Sequence, residues 1–350
     1  MTIPYISMPG NPITSISTTY NSQKSNLQQK GKYVLITFSN PPHYKVIDSS
    51  SEVLTLESNL DYSPKKSIFL TDIFSADGML HRSSFLKMLF LCSDNKIQID
   101  INSGRYHNIK LDAKGTMTDF VQAGQRVILS VNYQSNRSEL VAVNLSDGEI
   151  RRTDSELEQI SILKYCIITG LIYAKGGDSI AIYDHDLRLA TKLSFPDCCF
   201  EIGNDGLTYY LGPTSAESMS RIEGVMQNKI ILLKKDIRNE GTVYLKLNYN
   251  DIKAKLCKES KLPDCNFQEE LLSNYIFEEI KCKEGYIGLL LNNNSNKDSE
   301  KLFIIIDNKS YSILFAYRAN DINCFEIVDK QIYFGFDDGN FEIIRFCDFN

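Results

Sequence analysis

Apolar and polar positions along this chain alternate in short stretches rather than in helical periods. The clearest copies read RVILSVNYQSNRSELVAVNL from Arg126, KIILLKKDIRNEGTVYLKLN from Lys229 and YIGLLLNNNSNKDSEKLFIIID from Tyr286. Each sets an apolar run rich in Ile, Val, Leu and Tyr against a polar Asn/Ser/Asp/Gly turn and a second apolar run. β-Branched and aromatic residues bounded by turn formers are the signature of strands joined by tight hairpins. The unit of strand, polar turn, strand, acidic turn and strand recurs about seven times along the chain.

A period of roughly 40–60 residues built from four short strands predicts a β-propeller rather than a sandwich or an α/β enzyme. The expected architecture is all-β: seven blades of four antiparallel strands in one domain over residues 1–350. The first blade spans Pro12–Ser58, the second Ser67–Leu111, the third Met117–Asp154 and the fourth about Gln159–Phe195. The fifth and sixth occupy about Ser218–Glu259 and Tyr275–Arg318. The last has only three strands (CFEIVD, QIYFGFD, FEIIRF), so Pro4–Gly10 is expected to supply its outer strand and close the ring. Otherwise strand edges would stay open. Cys198–Gly212 reads as an inserted hairpin between the fourth and fifth blades, with a rudimentary eighth blade as the alternative. Thr214–Glu217, with its S/T-x-x-E capping pattern, and Phe267–Ser273 read as short helical turns.

Within the fourth blade, GGDSIAIYDHDLRLATKL (Gly176–Leu193) resembles the end of a WD repeat, with Tyr183-Asp184 where Trp-Asp would stand. The resemblance is to divergent WD40-like β-propellers and rests on blade pattern alone. The chain has no tryptophan and no Gly-His dipeptide, so no family's functional residues carry over. What it implies is a protein-interaction module.

Composition narrows the chemistry. Lysine and arginine number 38 against 44 acidic residues, a formal charge of −6, which argues against whole-surface binding to nucleic acid or acidic lipid. The opening MTIPYISMPG has neither the basic nor the apolar region of a signal peptide, and no apolar run approaches the ~18–20 residues that span a bilayer. A cytoplasmic or nuclear protein is expected. Nine cysteines without C-x-x-C spacing read as free thiols.

No catalytic residue, metal ligand or cofactor motif stands out. Asp184-His185-Asp186 and Asp337-Asp338 combine groups able to bind cations or move protons, yet both fall where hairpin turns are expected. The sialidase box requires a tryptophan, and the Gly-Gly of kelch repeats occurs once, at Gly176-Gly177.

Two surfaces are candidates for binding. Between Lys229 and Lys261 there are nine basic residues and four acids, with Lys234, Lys235, Lys253 and Lys255 the core of a basic surface. Ile252–Lys258 alternates apolar and lysine positions and reads as an outer strand with a charged face. By contrast Ser310–Tyr317, the expected outer strand of the sixth blade, carries no charge before Arg318. Tyr311, Ile313, Phe315 and Tyr317 fall on one face of it, an open edge suited to β-augmentation unless Leu262–Ser273 covers it. The expectation is thus a non-enzymatic scaffold: a propeller subunit of a larger intracellular complex whose partners are other proteins. The alternatives are a hydrolase or lyase with a site at the channel mouth and a nucleic-acid-associated factor using the basic surface.

Overall fold

The computed structural model describes residues 7–18, 33–49, 53–69, 87–92, 96–101, 106–110, 115–145, 148–194, 199–203, 208–211, 231–235, 242–256, 260–262, 272, 274–293 and 300–346. These form consecutive antiparallel meanders. Sheet 1 is β1–β4 (Ile13–Thr18, Tyr33–Ser39, Pro42–Asp48, Val53–Asn59) and sheet 2 is β5–β8 (Pro64–Phe69, Lys87–Cys92, Lys96–Ile101, Tyr106–Lys110). Sheet 3 is β9–β12 (Thr116–Ala123, Arg126–Tyr133, Arg137–Asn144, Ile150–Asp154), and sheet 4 is β13–β16 (Ile162–Cys166, Leu171–Gly176, Ser179–Tyr183, Leu189–Ser194). Sheet 5 is β17–β20 (Phe200–Ile202, Thr208–Leu211, Ile231–Lys235, Thr242–Lys246), and sheet 6 is β21–β24 (Tyr275–Lys283, Tyr286–Asn293, Glu300–Asp307, Ile313–Asn320). Sheet 7 has three strands, β25–β27 (Ile322–Val328, Gln331–Phe336, Phe341–Arg345). The fold is an all-β propeller with four-stranded antiparallel blades.

The apolar runs are continuous because the middle strands are covered on both faces. In β23, Leu302, Ile304 and Ile306 join one core with Ile287, Leu289 and Leu291, whereas Phe303 and Ile305 face Phe325 and Phe334 of sheet 7. Period-two alternation therefore sends successive side chains into two different inter-sheet cores. Comparable cores join sheet 1 to sheet 2 through Tyr44, Val46 and Phe90, and sheet 3 to sheet 4 through Leu140 and Ile172. Another sets Tyr333 and Phe341 of sheet 7 against Val34 and Phe38 of sheet 1. Packing is tight enough that a Cβ on Gly288 would stand 2.8 Å from the side chains of Phe325 and Ile327.

Three expectations change. Cys198–Gly212 is not an inserted hairpin: Phe200–Ile202 and Thr208–Leu211 are the first two strands of sheet 5. The reason is burial, since Phe200 and Ile202 pack on Tyr173, Ile180 and Ile182 of sheet 4 and so occupy the inner-strand place. Of the expected outer strand Ile252–Lys258, residues 257 and 258 lie outside the described residues and the rest does not form a strand of sheet 5. Asn248 caps a helix, α1 (Tyr249–Ala254), by accepting the Asn250 N–H at 2.9 Å, and Ile252 is fully buried. A capping side chain and one deep apolar anchor outweigh the alternation. In the expected closing strand, Pro4–Ile6 lie outside the described residues. Met8 and Gly10 donate to the Gly339 and Asp338 carbonyls at the β26–β27 turn (2.9 and 2.7 Å) without forming a strand. The helical turn at Thr214–Glu217 lies outside the described residues, as does that at Phe267–Ser273 except for helical Leu272.

Candidate functional site

The first strand of every sheet lines one cavity of about 890 Å³. Its wall carries charge that the apolar run around each position does not suggest: Lys66 on β5, Asp119 on β9, Lys164 on β13, Glu201 on β17, Lys281 and Lys283 on β21 and Glu326 on β25. These groups are arranged as pairs across sheet junctions. Lys66 Nζ lies 2.5 Å from Asp119 Oδ1, Lys164 Nζ 2.7 Å from Glu201 Oε2, and Lys283 Nζ 2.8 Å from Glu326 Oε1.

Each carboxylate has a second task. Inner strands leave backbone N–H groups facing the cavity with no neighbouring strand. Asp119 accepts the Phe120 N–H at 2.8 Å and the Leu163 N–H at 2.7 Å, Glu201 accepts the Ile202 N–H at 2.9 Å, and Glu326 accepts the Ile327 N–H at 3.1 Å. Acid followed by apolar residue thus repeats on sheets 3, 5 and 7, each acid receiving a lysine from the preceding sheet. Charge-assisted bonds of this kind are stronger than neutral ones.

The electrostatics follow from those pairs. Burial works against the charge on Lys164, but Glu201 outweighs it and holds the ammonium pKa above its ordinary value. Burial likewise opposes ionisation of Glu326, and Lys283 and Lys281 reverse it, leaving the carboxyl below the usual range. The remaining junctions use other chemistry. Ser15 Oγ meets Ser67 Oγ at 2.7 Å between sheets 1 and 2, the Cys199 thiol donates to the Glu278 carbonyl at 3.3 Å between sheets 5 and 6, and Asn323 Nδ2 donates to the Ile13 carbonyl at 2.8 Å between sheets 7 and 1.

Cys166, Cys199, Cys282 and Cys324 line this cavity, none of them in a disulfide. Burial pushes the Cys324 thiol up to about 12, so it is protonated and unreactive at neutral pH. Among the described residues, no group of three His, Cys, Asp or Glu side chains is placed to hold a metal ion. Asp184-His185-Asp186 is a turn: Asp184 Oδ1 accepts the Asp186 and Arg188 N–H groups, both at 2.9 Å. Asp338 Oδ1 accepts the Asn340 N–H in the same way at 2.9 Å.

The basic residues do not share a strand. Lys234 and Lys235 lie on β19, whereas Lys253 lies on α1 with Nζ 5.5 Å from the Tyr249 ring centroid, and Lys255 is the residue that ends the helix. Nor do the four edge residues share a face. A β-bulge at Leu314, between the pairs Ile305↔Phe315 and Ile306↔Ile313, breaks the alternation. Phe315 and Tyr317 are buried toward sheet 7, with the Tyr317 hydroxyl donating to Glu342 at 3.0 Å. Tyr311 and Ile313 pack with the other core of sheet 6. The edge of β24 is also occupied: the Ala316 N–H donates to the Lys255 carbonyl at 2.9 Å, and Leu256 bridges Ala316 in parallel.

The strand pattern alone does not single out the cavity pairs. A signal existed, since Phe200-Glu201-Ile202 and Phe325-Glu326-Ile327 each set one acid between apolar neighbours at the start of a repeat. Nothing local showed which lysine each would meet.

No family model matches the chain, and no curated protein matches it. Solved structures do. The β-propeller domain of Cps50 (Swd1) from Myceliophteria thermophila aligns with a TM-score of 0.59 at 8% identity, over 97% of this chain and 98% of that one. The WD40 domain of Neurospora crassa Pan2 aligns at 0.57 and 10% identity, over 96% and 91% of the respective chains. KlHsv2 with its loop 6CD replaced by a Gly-Ser linker aligns at 0.53 and 9%, over 94% and 90%. The fold is that of a divergent WD40-like β-propeller. Among the described residues no helix is long and apolar enough to cross a membrane.

Proposed function

We propose that the seven sheets close into one ring and that the protein is a rigid, non-enzymatic docking platform within a larger intracellular assembly, in the cytoplasm or nucleus, with other proteins as its partners. The observation that carries this reading is the use made of the cavity's acids and bases. Lys66–Asp119, Lys164–Glu201 and Lys283–Glu326 join neighbouring sheets, and the carboxylates also hold inner-strand amides. Groups spent in this way stiffen the ring, and a stiff ring presents its loops and edges at fixed spacing. The sheet 7–sheet 1 core and the Met8 and Gly10 bonds to the last hairpin support closure.

Gel filtration of a native extract, followed by immunoblotting for the chain, tests the proposal. A platform elutes well above its monomer mass, together with other chains in constant ratio. Elution at monomer mass under conditions that preserve known complexes of the same extract overturns it.

A further inference from the structure

Among the described residues four large apolar side chains are exposed: Ile150 (45%), Ile167 (54%), Ile168 (51%) and Leu189 (43%). All four lie at one end of two neighbouring sheets. Ile167 and Ile168 stand in the β13–β14 turn, Leu189 opens β16 and Ile150 opens β12. In an antiparallel meander the first and third turns leave the sheet at the same end. Contacts show that sheets 3 and 4 share that end. Arg126, which opens β10, donates from Nη1 to the His185 carbonyl at 2.8 Å and lies 3.7 Å from Asp186 Oδ1 in the β15–β16 turn. Arg151, beside Ile150, reaches the same oxygen at 3.9 Å.

The residues in these turns are not what the backbone asks for. The equivalent first turns read Gly124-Gln125 in sheet 3, Glu284-Gly285 in sheet 6 and Asp329-Lys330 in sheet 7. Those are the glycines and polar residues that water-facing turns favour. Sheet 4 closes its turn with Gly170 at φ +70°, whose N–H donates to the Cys166 carbonyl at 2.8 Å, yet fills the tip with two isoleucines. Scattered exposed aliphatics are ordinary, whereas a group gathered at one end of two adjacent sheets marks an interaction surface. The charges beside it are matched within the chain. Arg126 and Arg151 meet Asp186, Arg151 also meets Glu149 at 3.0 Å, and the Arg188 N–H bonds the Asp184 carboxylate at 2.9 Å.

We propose that this end of sheets 3 and 4 docks the apolar face of an amphipathic helix from a protein partner. Charge selects the class of partner. The arginines here are spent on Asp186, Glu149 and Asp184, whereas anionic lipid or nucleic acid would require unmatched cations. Spacing selects the helix. The first and third turns of one sheet stand two strand spacings apart, about 10 Å, which separates Ile168 from Leu189. Residues i and i+7 of a helix lie on one face about 10.5 Å apart. An extended strand returns to the same face only at about 7 or 14 Å. Ile150 flanks this row from sheet 3. The proposal rests on the platform reading in requiring a protein partner.

The probe is the full chain with photo-reactive p-benzoylphenylalanine in place of Ile168, Leu189 or Asp178, irradiated in a native extract and mapped by mass spectrometry. Asp178 is exposed in the β14–β15 turn at the opposite end of sheet 4 and serves as the control. Attachments from positions 168 and 189 should fall in one segment of one other protein, about seven residues apart as helix geometry requires. A fluorescent peptide of that segment should bind the wild type and lose about tenfold in affinity for the I167S/I168S variant. Leu189→Ser, assayed separately, should weaken it in the same direction, with urea midpoints showing that each variant is folded. Attachment to lipid, to nucleic acid or to this chain itself, no attachment from either position, or undiminished binding by both folded variants overturns the proposal. Other proteins captured from Asp178 alone also overturn it while leaving the platform reading intact, and that reading fails only in its own elution experiment.

Discussion

Lys164 Nζ lies 2.7 Å from Glu201 Oε2, joining the inner strand of sheet 4 to that of sheet 5 across a cavity wall where both side chains are mostly buried. Its partners explain why such a charge is tolerated: Glu201 also accepts the Ile202 N–H, so both the ammonium and an otherwise open inner-strand amide are met.

Removing half of that pair should cost more than removing all of it. Glu201→Leu leaves the Lys164 ammonium without its counter-ion and the Ile202 amide without an acceptor, for a loss of about 1–3 kcal/mol. The double variant Lys164→Met with Glu201→Leu should recover part of this. Urea unfolding midpoints of the two single variants and the double variant supply the cycle. A double variant as unstable as the sum of the singles would mean that the pair does not couple.

A larger effect is expected at Arg318, whose Nη2 lies 2.5 Å from Glu300 Oε1 with side-chain exposures of 2% and 8%. Glu300 also accepts from the Tyr275 hydroxyl. Arg318→Met strands a buried carboxylate and should destabilise the fold by about 3–5 kcal/mol. Denaturant midpoints at neutral pH measure it, and a loss below about 1 kcal/mol would show that the carboxylate finds water or a proton instead.

His43 predicts a pH dependence. Its ring stacks on Phe38 at 4.3 Å, Nδ1 sits 3.0 Å from the Pro41 carbonyl, and burial holds its pKa below the ordinary 6.5. Nearby Lys45 acts in the same direction, while the Pro41 bond and Glu57 oppose it. The unfolded chain therefore takes up a proton that the folded chain resists. This contribution is fully present above about pH 6.5 and is lost as pH falls toward the folded pKa. Stability curves at pH 7.5, 6.5 and 5.5 should steepen over that range in the wild type and flatten in His43→Phe. Identical slopes would assign acid sensitivity elsewhere.

Closure of the ring predicts that deleting residues 1–10 lowers the melting temperature markedly. The deletion removes the Met8 and Gly10 bonds to the β26–β27 turn and the Ser7 hydroxyl that accepts the Phe341 N–H at 3.0 Å. Each is worth on the order of 1 kcal/mol against a total stability of about 5–15 kcal/mol. An unchanged melting temperature would refute closure through this segment.

The strands were legible in the chain because their signal is local. Apolar runs such as Leu302–Ile306 between Asn- and Asp-rich turns leave few alternatives to a buried hairpin. The acidic turns were equally clear, since Asp184 and Asp338 cap their own backbone within a few residues. The regions misjudged are those where a distant partner decides. Whether Phe200–Ile202 is an insertion or an inner strand depends on Tyr173 and Ile182 across a sheet junction, and the helix at Tyr249–Ala254 depends on the core that receives Ile252.

The candidate sites divide the same way. Composition alone established that the edge from Ser310 to Tyr317 lacks charge, because that is a property of consecutive residues. Only the tertiary structure placed Lys255 and Ser260 on that edge and turned Phe315 and Ile313 to opposite faces through a bulge. The cavity pairs belong wholly to the tertiary level: Lys66 and Asp119, like Lys283 and Glu326, lie dozens of residues apart and meet only because successive inner strands are laid side by side around one cavity. Pattern along the chain decides which residues form strands, whereas long-range packing decides which strands, and therefore which charges, become neighbours.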